Sequence, residues 1–147
     1  MASGRLVLVD DSELTLAAVG RGLEALGWSV HKALGGRAGL DAVETVRPDV
    51  VVCDLHMPDV SGMDVLRHVL EHHPRTPVVM LSGDQDLNAV LAAVRQGAFD
   101  YVVKAGEDLR PLHEAIRRAF ERVQLLTQNA RLSADLDGAR ARLAEQL

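Results

Sequence analysis

Apolar and polar positions along this chain switch repeatedly between two periods. Residues 5–9, 28–31, 50–53, 76–81 and 99–103 are short, largely apolar runs, and each is followed by a longer stretch in which apolar residues recur every three to five positions. The first pattern reads as strand and the second as helix. Leu14, Ala17, Ala18, Leu23 and Leu26 mark the apolar side of the first helix, which Asp10-Asp11-Ser12 can cap and Gly27 ends. Further helices are predicted over 36–46, ended by Pro48, and over 61–72 and 86–96.

Val50-Val51-Val52-Cys53 is apolar at every position, so both faces of that strand must be covered. Five such strands alternating with helices predict an α/β fold, a five-stranded parallel sheet wound on both faces through right-handed crossovers. Ligands bind such sheets beyond the carboxyl ends of the strands, where the strand order reverses.

The segment 109–147 has no partner strand. Leu112, Ile116, Ala119, Val123 and Leu126 step by four and three, and Leu125, Leu132, Leu136 and Leu143 continue with steps of seven, four and seven. One long helix is the simplest reading, its first turns on the sheet and its later part a coiled-coil extension. A domain over 1–120 and a helical extension over 121–147 are expected. A frayed tail is the alternative, because Asn129 and Gly138 interrupt the seam.

Composition narrows the function classes. With 147 residues, 48% hydrophobic and 25% charged, the chain can build a real core. A formal charge of −5 gives no general attraction to nucleic acid or anionic lipid. Cys53 is the single cysteine, no signal-peptide pattern opens the chain, and the apolar runs fall far short of the roughly 20 residues that span a bilayer. A cytoplasmic protein without a membrane contact is expected. Lys32 and Lys104 are the two lysines among 16 basic residues.

The strand ends carry Asp10 and Asp11, then Asp54, Ser82 and Lys104. Three crowded carboxylates repel one another unless a cation sits among them. Magnesium, which takes a few carboxylate oxygens and keeps several water or phosphate oxygens, suits such a loose site. Zinc-like spacing of His or Cys is missing. A carboxylate beside magnesium can attack phosphorus while the metal and the Lys104 ammonium neutralise the phosphoryl oxygens, giving an acyl phosphate on Asp54.

The pieces "LVLVDDS", "RPDVVVCDLHMPDVSGMDVL", "VVMLSGD" and "GAFDYVVKA" resemble, in order and spacing, the receiver domain of bacterial two-component response regulators over residues 5–120. The resemblance implies a flavodoxin-like (βα)5 fold. It implies magnesium held by Asp10, Asp11, Asp54 and the main-chain carbonyl of His56, and a phosphoryl group passed to Asp54 from a sensor histidine kinase or phosphotransfer protein. Lys104 would pair with the phosphate, and Ser82 and Tyr101 would act as the switch pair. The family usually has proline after the lysine, where this chain has Ala105; an alanine peptide is expected to be trans.

Other residues are given plainer readings. Cys53 is expected to be a small buried hydrophobe, Trp28 and Phe99 core residues, and Lys32 an exposed residue after the second strand. Asp59 and Asp64 read as acids near the third helix's N-terminus. His68, His72, His73 and His113 read as solvated residues without a role. His56 faces the mouth of the site, either simply exposed or placed to act on the hydrolytic water, and Asp84 has the same two readings.

From Ala105 onward acids and bases balance at seven each, with no helix-turn-helix pattern, so direct nucleic-acid binding is not expected. A parallel coiled coil making a homodimer fits the last helix better. The pattern runs to Glu145-Gln146-Leu147 without a stop signal, which reads as a cut from a longer regulator, with a stand-alone receiver as the other reading. The expected activity is self-phosphorylation and dephosphorylation at Asp54 without other turnover. Two alternatives fit the same residues: a protein-interaction scaffold that keeps the fold without the chemistry, and a magnesium phosphatase. The latter usually needs a second acid where His56 stands.

Overall fold

A computed structural model describes residues 4–83 and 85–146. The chain runs β1 (Arg5–Asp10), α1 (Glu13–Ala25), β2 (Ser29–Leu34), α2 (Gly36–Val46), β3 (Val50–Cys53), α3 (Gly62–His72), β4 (Val78–Ser82), α4 (Leu87–Gln96), β5 (Asp100–Val103) and α5 (Arg110–Gln146). The strands form one sheet in the order β2-β1-β3-β4-β5, every neighbouring pair parallel. This is the expected doubly wound sheet, and its strand order reverses between β1 and β3.

Strand alternation builds two cores. Val7, Val9, Val51, Cys53, Val78 and Met80 face α2, α3 and α4, while Leu6, Leu8, Val50, Val52, Val79 and Leu81 face α1 and α5. The central strands are apolar on both faces between their ends, because helices cover both faces.

Helix ends follow local chemistry. The Ser12 side chain accepts from Thr15 N–H to cap α1, and Ser61 with Asp64 forms a capping box on α3. The second strand departs from expectation: it starts after Trp28 and continues to Leu34, so Lys32 lies within it rather than beyond it. β2 is an edge strand with little burial, and the polar residues His31 and Lys32 pair through their backbones with Val7 and Leu8. Trp28 packs edge-on against Phe120, and its indole N–H donates to His113 Nδ1 at 3.2 Å. His113 is thus half-buried and partnered, not a solvated residue.

Asp59 also departs from expectation. Its carboxylate accepts from Gly36 N–H at 3.1 Å and Arg37 N–H at 3.0 Å, so it closes the start of α2 rather than that of α3. Hydrogen bonds from Arg37, Val60 and Gly36 hold its pKa at about 2.

α5 is 37 residues long, about 55 Å of helix. Leu112, Ala115, Ile116 and Ala119 are buried against the sheet, whereas Leu125, Leu132, Leu136 and Leu143 are all more than half exposed. Among the described residues no helix is long and apolar enough to cross a membrane.

Candidate functional site

Asp10 ends β1 and Asp54 directly follows β3, its N–H donating to the Val9 carbonyl at 2.9 Å. Adjacent strand tips thereby deliver the two acids to one place. Asp11 follows β1 in the next loop. One carboxylate oxygen from each of Asp10, Asp11 and Asp54 lies within 4.8 Å of the other two. Asp10 and Asp54 are buried and Asp11 is exposed, so the cluster opens to solvent on one side.

Asp10 is held from two directions. Its Oδ1 accepts from Ser12 N–H at 2.9 Å, and its Oδ2 accepts from the Lys104 ammonium at 2.8 Å. Lys104 follows β5, and its own N–H donates to the Ser82 carbonyl at 2.9 Å, tying it to the tip of β4. The ammonium stands 3.9 Å from Asp54 Oδ2. Every peptide bond among the described residues is trans, including the one before Ala105. The turn that follows passes through Gly106 at φ 64°, a conformation glycine adopts without strain.

Burial raises the pKa of Asp54, and the negative charges of Asp10 and Asp11 add to that rise; Lys104 and a hydrogen bond from Leu55 N–H act against it. Burial likewise pushes the Cys53 thiol up, and its Sγ lies 3.2 Å from the Asp54 carbonyl. Cys53 is a buried packing residue. The cluster offers hard oxygen donors and no sulfur or imidazole, which suits a hard cation such as magnesium rather than a zinc-class ion.

Gly62 shows how closely the next helix approaches. A Cβ there would lie 2.0 Å from the Asp54 carbonyl oxygen, and the Gly62 N–H donates to Leu55 at 2.8 Å. The loop from Asp54 to Ser61 must therefore fold tightly back over the strand tip. His56 is exposed in that loop.

Ser82 ends β4 and is 1% exposed. Tyr101 lies on β5 opposite Met80, half-buried against the core beneath α2, α3 and α4. The sheet thus brings Asp10, Asp11, Asp54, Ser82 and Lys104 to one edge, with Tyr101 two positions further back along the neighbouring strand. Asp84 lies outside the described residues.

One cluster went unread in the sequence. His68 Nε2 and His73 Nε2 lie 2.7 and 2.8 Å from the same oxygen of Glu44. Hydrogen bonds from His73 and His68 hold the Glu44 pKa at about 2. These histidines are half-buried and partnered, whereas His72 is exposed. No helical spacing announces the contact, since it joins α2 to α3 across more than twenty residues.

Comparison with known proteins agrees with this geometry. The regulatory protein AtoC of Escherichia coli is 32% identical over 120 residues, 82% of this chain and 26% of AtoC. The DNA-binding transcriptional regulator NtrC of Klebsiella pneumoniae is 36% identical over 104 residues, 71% of this chain and 22% of NtrC. The chain thus spans about a quarter of the length of these relatives. A crystal structure of a response regulator receiver domain protein from Clostridium thermocellum superposes with a TM-score of 0.79 at 33% identity, covering 84% of this chain and 98% of that one. The profile of the response regulator receiver domain matches residues 6–117. With its sheet order, its acidic strand tips and these matches, the chain belongs to the response regulator receiver domain family.

Proposed function

We propose that the chain is a magnesium-dependent phosphoryl-accepting switch, with residues 1–120 as the receiver and 121–147 as its helical extension. The observation that carries this reading is the convergence of Asp10, Asp11 and Asp54 within 4.8 Å, with the Lys104 ammonium 3.9 Å from Asp54. Asp10, Asp11, Asp54 and the main-chain carbonyl of His56 would hold Mg2+. When bound, the metal supplies positive charge that neutralises oxygens of a transferring phosphoryl group.

An Asp54 carboxylate oxygen attacks phosphorus, the N–P bond of a donor phosphohistidine breaks, and the imidazole keeps the electron pair. The donor is a sensor histidine kinase or a phosphotransfer protein. Lys104 shifts its hydrogen bond from Asp10 toward the new phosphoryl oxygens, a short swing of the side chain. The Ser82 hydroxyl turns to the same oxygens, and Tyr101 moves into the space it leaves.

That exchange alters the face formed by α4, β5 and α5. Leu87, Leu91 and Val94 of α4 are exposed apolar residues there, which supports a docking role for that face. Along α5, Leu125, Asn129, Leu132, Leu136, Ala139 and Leu143 step by four and three, the spacing of a two-stranded coiled coil. A single asparagine on such a seam fixes its register. We read the extension as a homodimer seam that passes the change to an output domain or partner. The relatives are regulators, which supports self-modification at Asp54 without other turnover. From Ala105 onward acids and bases balance at seven each, which supports a role without direct nucleic-acid contact; a cytoplasmic setting without membrane contact is proposed with it.

The test is incubation with phosphoramidate and Mg2+. The wild-type chain gains one base-labile phosphoryl group and Asp54→Ala gains none; labelling that survives in Asp54→Ala refutes the assignment.

A further inference from the structure

The ends of α2 and α3 carry a second cluster of metal-ligating side chains, on a different surface from Asp54. Each helix runs antiparallel to the strand before it, so the C-terminal ends of α2 and α3 lie at the sheet edge opposite the acidic strand tips. Glu44 lies in the last turn of α2. His68 lies on α3, and His73 is that helix's C-cap.

His73 has left helical geometry, with φ −137° and ψ 63°. This lets its ring, five positions along, come beside that of His68, with centroids 6.2 Å apart. Both Nε2 atoms converge on Glu44 Oε1, at 2.7 and 2.8 Å. The donor atoms of the three residues lie within 4.8 Å of one another. The His68 and His73 side chains are 28% and 14% exposed and that of Glu44 is 45% exposed, so the cluster is packed on one side and reachable from the other.

A carboxylate bridging two imidazoles can be stable by itself, and the ionised Glu44 then accepts a hydrogen from each Nε2. Three features favour a cation. Two nitrogens and one oxygen form the donor set of a zinc-class ion. Two helix C-termini end here, each presenting the negative end of its dipole. Finally, ligands about 2.1 Å from such an ion in tetrahedral array stand about 3.4 Å apart, so the present contacts need to open by only about 0.6–0.7 Å. Each imidazole would move its proton to Nδ1 and offer the Nε2 lone pair, so no net proton is lost. Three protein ligands leave a further position for water.

We propose that Glu44, His68 and His73 form a binding site for a divalent transition metal of the zinc class, clipping α2 to α3 away from the phosphorylation edge. His72 serves as an internal control. Its ring lies 4.6 Å from that of His68, but its Nε2 faces Glu71 Oε2 at 3.9 Å, outside the cluster.

The experiment is calorimetric titration of the full 147-residue chain with zinc chloride, with magnesium present to occupy the acidic site. One zinc per chain binds the wild type at micromolar concentration. His68→Asn, His73→Asn and Glu44→Gln each weaken binding about tenfold or more, the scale set by lost ligand-shell contacts, and His72→Asn leaves it unchanged. Cobalt chloride gives a second readout, a visible d–d absorption in the wild type and in His72→Asn that fades in the other variants. Circular dichroism in chelator checks that each variant is folded. No zinc binding by the wild type in this range overturns the proposal, as does binding that survives in the folded His68→Asn/His73→Asn double variant.

Discussion

The Lys104 ammonium donates to Asp10 Oδ2 at 2.8 Å, joining the tip of β5 to the tip of β1 across the width of three strands. Asp10 is almost fully buried, so this lysine is the cation nearest a carboxylate that water barely reaches. Removing it leaves a buried charge beside two other acids. Lys104→Met is expected to destabilise the chain by about 1–3 kcal/mol in magnesium-free buffer. In the Asp10→Asn background the same change costs less, because the charge it compensates is gone. A double-mutant cycle by urea unfolding measures the difference.

Asp54 carries a pH signature. Its folded pKa is raised above the ordinary 3.8, first by burial, so its ionised form is disfavoured in the fold. The stability linked to this group is therefore full below 3.8 and is lost as pH rises through the folded pKa. Asp54→Asn is expected to melt roughly 2–5 °C higher than wild type at neutral pH without magnesium. That advantage disappears in acid below 3.8, as thermal melts across the pH range will register.

Gly62 is the backbone constraint behind the acid's position. A methyl group there meets the Asp54 carbonyl at 2.0 Å, so either α3 or the strand tip must shift. Gly62→Ala is expected to cost about 1–3 kcal/mol and to slow phosphorylation even where the chain remains folded. Stability and labelling rate, measured on the same sample, separate the two effects.

The exposed leucines of α5 predict the assembly state. Leu132 and Leu136 are 58% and 52% exposed in the isolated chain, a cost relieved by a second helix. The wild type is expected to sediment as a dimer at micromolar concentration, and Leu132→Arg/Leu136→Arg as a folded monomer. A wild-type monomer, with or without phosphorylation, removes the coiled-coil reading.

The architecture was legible in the sequence because β1, β3 and β4 are apolar on both faces, and only a doubly covered parallel sheet has use for such strands. Acids and a lysine standing just where each apolar run stops marked the functional edge for the same reason. The extent of β2 is not legible, because an edge strand tolerates His31 and Lys32 and apolarity does not mark where it ends. The contacts of Asp59 and the Glu44 cluster are illegible for another reason. Their partners are distant in sequence and belong to neighbouring helices, and no period along one helix encodes a meeting between two. Trp28 reads as core, but its bond to His113 joins residues 85 apart in the chain, a meeting that no local pattern encodes.

In this mechanism the acids at the strand tips hold one divalent ion, and that ion makes Asp54 reactive. That role is tested most directly by titrating Mg2+ into chain and phosphoramidate while intact mass follows phosphoryl incorporation, for wild type and for Asp11→Asn. Incorporation is expected to rise with Mg2+ in the wild type, to stop in chelator and to be largely lost in Asp11→Asn at the same Mg2+. Incorporation undiminished in chelator, or equal in the two proteins, would contradict that role.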